Sequence, residues 1–185
     1  MSKVRFGFKN VYYAPITESG NSVTYGTPVK LDGAVSMSLS ASGDNVEFYA
    51  DDGLYFSDNA NNGYEGSLEF ALIPEHFKTA ILNEVVDSNG VSAEDATRVT
   101  KPFALLCEFT QDDGAKKFVF YHCTASRPAI EANTKGETKE IKTETLDIVC
   151  RPDANGIVKR STTATTETAV ANAWYTAVYE GTASV

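Results

Sequence analysis

Between Gly66 and Val85 the apolar period of the sequence changes, and that change limits the fold more than any other feature. Leu68, Phe70 and Leu72 alternate with Ser67, Glu69 and Ala71 from Gly66 to Ile73, the period-two pattern of a half-buried strand. After Pro74 the apolar residues Phe77, Ala80, Ile81 and Val85 fall at helical spacing on one face. Pro74 suits the first helical position, where no backbone donor is needed, and Asn89-Gly90 supplies a stop. The spacing therefore predicts a helix over about residues 74–87, the one convincing helix in the chain. A lone amphipathic helix fed by a strand buries its stripe only against a sheet, which predicts a mainly β fold with one flanking α-helix.

Strand patterns recur on both sides of this unit. Upstream, Val11-Tyr12-Tyr13 reads as a short strand, Glu18-Ser19-Gly20-Asn21 as a turn, and Tyr25 to Gly33 as an edge or lead-in segment. Val35, Met37, Leu39 and Ala41 then alternate strictly with Ser36, Ser38, Ser40 and Ser42, leaving a stripe of serines on one face. Val46 to Ala50 is a further strand. Asp51 to Gly63 reads as a long polar loop whose Tyr55 and Phe56 need somewhere to go, which marks it as a contact loop. Downstream, Phe103 to Thr110 and Lys117 to Ala125 flank a turn at Asp112-Asp113-Gly114. Both faces of the second of these are apolar, so it belongs centrally in a sheet. Arg127-Pro128 interrupts it, Ala129 to Ala132 is a candidate continuation, Lys135 to Lys139 reads as an exposed loop, and Thr143 to Cys150 is the last clear strand. Ser161 to Thr168 is Thr-rich with little to bury, and the tail beyond it carries the only Trp. These textures divide the chain into a β-domain over 1–160 and a Thr-rich tether with a C-terminal arm over 161–185. Trp174, Tyr175 and Tyr179 are the arm's contact residues, expected to dock on its own domain or on a neighbour's.

Composition narrows the function classes. With 42% hydrophobic and 22% charged residues the chain is folded rather than disordered. Its net charge of −9 argues against stable binding of nucleic acid. Neither a signal-peptide pattern nor an apolar run of membrane-spanning length is present, so synthesis in the cytoplasm and no membrane association are expected. Cys107, Cys123 and Cys150 are odd in number and lie in strand-like sequence, which fits buried reduced thiols. His76 and His122 have no zinc-type spacing with them, and alternation turns His122 away from Cys123. Asp58, Asn62, Gly63 and Glu69 match four positions of a calcium loop, but Ala60 breaks it. Asp51, Asp52, Glu65 and Glu69 offer carboxylates without selecting a pair. The residues point to no enzyme, no cofactor and no metal.

Several blocks occur together in order: Tyr25-Gly26-Thr27-Pro28-Val29-Lys30-Leu31, the serine alternation, Phe48-Tyr49-Ala50-Asp51, Asn61-Asn62-Gly63-Tyr64, Leu72-Ile73-Pro74 and Cys123-Thr124-Ala125-Ser126-Arg127-Pro128. Over roughly residues 5–152 the chain resembles the major tail proteins, or tail tube proteins, of long non-contractile-tailed bacteriophages and prophages of Gram-positive bacteria. The resemblance implies a β-sandwich or small barrel that self-assembles into hexameric rings stacked as a tube, assembled in the host cytoplasm and resident in the virion tail. Implied partners are further copies of itself, a tape measure protein, tail terminator and baseplate or initiator proteins, and DNA in passage without specific binding. In such a fold each subunit adds strands to a continuous inner barrel, and a long hairpin or loop reaches the next ring. On this reading Ser36, Ser38, Ser40, Ser67, Glu69, Thr145 and Asp147 line the lumen. Asp51, Asp52, Tyr55, Phe56 and Asp58 make the contact between rings. The competing expectation is a β-sandwich module binding carbohydrate or protein on a particle or cell surface, with Tyr12, Tyr13 and Trp174 as stacking platforms.

Overall fold

The computed structural model describes residues 3–20, 22–111, 114–132 and 141–181. Asn21, the Asp112-Asp113 half of one expected turn and the expected loop at Lys135–Lys139 lie outside them. In chain order the elements are β1 (Arg5–Ser19), β2 (Ser22–Tyr25), β3 (Val29–Lys30), β4 (Ala34–Ser42), β5 (Asn45–Ala50), β6 (Gly53–Asn59) and β7 (Gly63–Phe70). They continue as α1 (Glu75–Ala80), β8 (Val85–Val86), β9 (Ser92–Ala93), β10 (Phe103–Gln111), β11 (Gly114–Ala125), β12 (Glu144–Arg151), β13 (Lys159–Ser161) and α2 (Thr168–Ala173). The fold is mainly β, as the alternation requires. Its main sheet runs β2-β1-β10-β11-β12-β7-β4, with β3 added to β1 and β13 to β11.

The sheet curls round one core. Val11 and Tyr13 from β1, Leu68 and Phe70 from β7, Phe103 and Leu105 from β10, Phe120 and Cys123 from β11, and Leu146 and Ile148 from β12 share it. Helix α1 closes this core with Phe77, whose ring meets Tyr13 and Phe103 edge-on at centroid distances of 5.1 and 5.4 Å. The opposite face of β10 and β11 buries Ala104, Leu106, Val119 and Tyr121 under Trp174 and Val178 of the C-terminal arm. Both faces of β11 are thus covered, which is why its apolar residues do not alternate with polar ones.

The helix is shorter than its sequence stripe. Pro74 precedes rather than begins it, accepting from Phe77 N–H with its carbonyl, and the helix ends at Ala80 instead of 87. Asn83, at φ 63°, turns the chain out of the helix, and its side-chain amide donates to the Val99 carbonyl. Val85 and Val86 then pair with β9, and Asn89-Gly90 belongs to the hairpin between them. Val85, β-branched and at helical spacing from Ile81, was compatible with either period, and the left-handed Asn decided between them. Strand β7 likewise ends at Phe70, so Leu72 is exposed and Ile73 is buried. A second helix, α2, forms in the arm where none was expected. Strand β1 is longer than the expected Val11-Tyr12-Tyr13 strand at both ends, and the expected turn stands where Gly20, at φ 60°, follows Ser19, which pairs with Ser22 of β2. Pro15 of β1 lacks a donor, and Gly26 donates to the Pro15 carbonyl.

Candidate functional site

Three strands at one end of the sheet carry a continuous polar face. Register places Ser36, Glu69 and Thr145 in one row across β4, β7 and β12, and Ser38, Ser67 and Asp147 in the next. A third row joins Ser40, Glu65 and Val149. Directly opposed residues share a face in an antiparallel sheet, so the residues read as a serine stripe and two further polar stripes form one surface. All seven expected wall residues are brought together there. Glu65 belongs with them and was passed over as an ordinary carboxylate. Arg151 follows Asp147 and Val149 along the same alternation, so this face carries one guanidinium as well as the carboxylates of Glu65, Glu69 and Asp147.

Glu69 is the fixed point of the surface. Its Oε2 accepts from Ser36 Oγ at 2.7 Å and its Oε1 from Thr143 Oγ1 at 2.7 Å. These two hydroxyls hold its carboxyl below the ordinary carboxylate range, against the smaller opposing effect of burial. The side chain is an anion pinned between the short hydroxyls of Ser36 on β4 and Thr143, the residue just before β12.

The second feature is a correction. Asp51 to Gly63 is not a long loop: Gly53–Asn59 is strand β6, paired with β5 from Asn45↔Asn59 to Ala50↔Gly53. Asp51 and Asp52, at φ 50° and 59°, form the two-residue turn, and left-handed values at both central positions match the right-handed twist of a hairpin. Hydrogen bonds from Ala60 N–H to the Asp44 carbonyl and from Asn62 N–H to the Ser42 carbonyl carry the ladder back toward β4 and β7. Gly43 permits the crossing, because a Cβ there would lie 1.8 Å from the Ala60 carbonyl oxygen. The result is one long two-stranded ribbon whose outer half leaves the body of the protein.

That outer half is apolar and open. Val46, Phe48, Tyr49, Leu54, Tyr55 and Phe56 are each between 53% and 75% exposed. Phe48 stands opposite Phe56, Asp58 opposite Val46, and Tyr55 falls at the register shift, its ring edge-on to Phe48. The expected contact residues therefore all lie on the ribbon, together with Val46, Phe48 and Tyr49, which were assigned to an ordinary strand, and Leu54, which lay within the expected loop without being singled out. The exposure of both partners of an alternating strand was the part no single-strand pattern could carry.

The arm docks on its own domain. Trp174 is 3% exposed and its Nε1 donates to the Phe118 carbonyl at 3.4 Å, while its ring stacks on Tyr179. Tyr175 stacks on Tyr12 at 4.6 Å and donates to Glu108 Oε2 at 3.2 Å. Burial, with Glu108 next to it, pushes the Tyr175 phenol well up. Tyr121 donates to the Tyr179 carbonyl, and Lys117 Nζ to the Ala171 carbonyl at 2.6 Å. Tyr13 and Trp174 thus present no open ring face, and Tyr12 is already covered by Tyr175. Glu108 is buried beneath the arm and met also by Lys9 and Asn10, a role that its place in an apolar strand concealed.

His122 faces Glu18 at 3.1 Å, away from Cys123. Among the described residues no group of three or more His, Cys, Asp or Glu is placed to hold a metal ion, and no helix is long and apolar enough to cross a membrane. Neither the family models nor the curated proteins compared with this chain give a match.

Proposed function

We propose that this chain is a self-assembling tube subunit of the kind its sequence resembles, forming stacked rings that conduct DNA through a phage tail. The observation that carries the reading is the β5–β6 ribbon. Six large apolar side chains standing open on one protruding hairpin make a surface that a lone molecule has no use for, and an isolated two-stranded ribbon is marginal unless something packs on it. A copy in the adjacent ring is the occupant that the resemblance supplies, and the Asp51-Asp52 turn places a polar tip at the end of the reach. The polar face of β4, β7 and β12 ends at β4, the last strand of its sheet, whose outer edge has no ladder partner among the described residues. An unpaired edge beside a flat polar face is the geometry that lets neighbouring subunits continue one sheet around a channel. A wall of hydroxyls and carboxylates, with Glu69 held ionised, repels phosphate and lets DNA pass without being gripped.

Negative-stain electron microscopy of the purified chain across a concentration series tests the proposal. Rings or tubes with a central channel are the expected result. Uniformly small particles at every concentration, persisting after tape measure and baseplate proteins are added, would reject it.

A further inference from the structure

Along the path β1-β10-β11-β12-β7-β4 the main sheet is narrowest where β12 meets β11. Strand β12 pairs with β7 along Glu144 to Cys150, but with β11 only from His122↔Arg151 to Ala125↔Ile148. This four-pair seam is the ladder by which the β4-β7-β12 unit hangs on the rest of the sheet. Cys123 stands directly opposite Cys150 inside the seam, both are buried, and their Sγ atoms are 3.0 Å apart. Opposed residues in an antiparallel ladder have Cα atoms about 4.5 or about 5.5 Å apart, and both distances fall within the range of about 4.4–6.8 Å that a disulfide spans. A sulfur–sulfur bond of about 2.05 Å is therefore reached by a shift of about 1 Å. The third thiol, Cys107, faces Phe118 in its own ladder and has no cysteine across from it.

We propose that Cys123 and Cys150 are a modification site, a thiol pair that two-electron oxidation converts into a disulfide stapling the β11–β12 seam. The inference stands on the seam geometry and holds whether or not the chain builds a tube. The oxidant is a small disulfide of the glutathione class. One cysteine thiolate attacks it, forming a mixed disulfide and releasing one small thiol. The second cysteine thiolate then attacks the protein sulfur of the mixed disulfide, releasing the other small thiol. The protein gives up two electrons and two protons, and the reagent's S–S bond becomes two S–H bonds. Burial raises the Cys123 thiol well above its ordinary range, so the closed seam reacts slowly and exchange proceeds when the strands part. Once formed, the bridge closes the chain between Cys123 and Cys150 into a ring and limits the unfolded state.

The test incubates the full chain with oxidised glutathione a few degrees below its thermal midpoint, where the seam opens, and maps thiols by non-reducing peptide mass spectrometry. The expected product has Cys123 joined to Cys150, Cys107 free, and a midpoint higher by about 5–10 °C, returning to the starting value on reduction. Cys107→Ala is expected to keep the bridge. Three free thiols after this treatment, a bridge that uses Cys107, or a bridge that leaves the midpoint unchanged or lower would overturn the proposal. These outcomes are read from the wild-type chain, so a variant that fails to fold does not affect them.

Discussion

Glu69 is depressed by two hydroxyl donors, and the sign of its pH dependence follows from that. Its pKa is lower in the folded chain than the ordinary 4.5, so its contribution to stability is present above about that value and is lost as pH falls through the folded pKa. Replacing Glu69 with Gln is expected to shrink the stability difference between pH 7 and pH 3, as measured by urea denaturation at the two pH values. An unchanged difference would show that Ser36 and Thr143 do not hold the ionised form. Glu69→Lys carries the functional version of the same point: rings should still form while genome ejection slows, and unchanged ejection in a time course would remove Glu69 from the lumen. Gly66, on β7 between Leu39 of β4 and Ile148 of β12, makes a separate demand. A Cβ there would lie 1.9 Å from the Ser38 carbonyl oxygen, so Gly66→Ala is expected to cost about 2–3 kcal/mol of stability in chemical denaturation.

The ribbon and the arm behave oppositely as elements. Phe48 and Phe56 are more than half exposed, so replacing both with Ser should change monomer stability by less than about 1 kcal/mol while abolishing stacking of rings in electron micrographs. Tubes that persist in this variant would make the ribbon ornamental. Trp174 is buried against Leu106 and Val119, and Trp174→Ala should cost about 3–5 kcal/mol by urea denaturation. The elements differ equally in how far the sequence revealed them. Alternation at Val35 to Ser42, Gly66 to Phe70 and Thr143 to Cys150 led to β4, β7 and β12, because one side of β7 and β12 is buried, Met37 and Leu39 of β4 are half-buried against the same core, and the other side of each is more open. The polar face was therefore legible down to its residues. The ribbon was only half legible: both its faces are open, so no burial contrast marked β6, and its Asp-rich turn resembled the start of a loop. The helix was overextended because Val85 satisfied its stripe, although a two-residue strand buries so little that it leaves no pattern. Thr162, which bonds Lys117 N–H through its hydroxyl, anchors a stretch whose composition reads as tether.

At the scale of the whole molecule, the chain's acidity and its assembly surfaces act against each other. Like-charged copies repel, so raising salt from about 50 to 500 mM, which shortens the screening length to a few ångströms, is expected to lower the concentration at which rings or tubes appear in light scattering. A requirement for higher concentration in salt would point instead to ion pairs across the interface. The order of strands has a further consequence, for synthesis. Strand β1 lies at the start of the chain, yet most of its ladder is with β10, from Arg5↔Gln111 to Pro15↔Phe103. At about 5–20 residues per second, a ribosome takes on the order of 5–20 s to make the residues between them. During that interval the longest strand of the molecule has emerged with its main partner still unmade, and contacts this distant in sequence form slowly even afterwards. Nascent β1, carrying Val11, Tyr13 and Ile16, is therefore the segment a chaperone would have to shield.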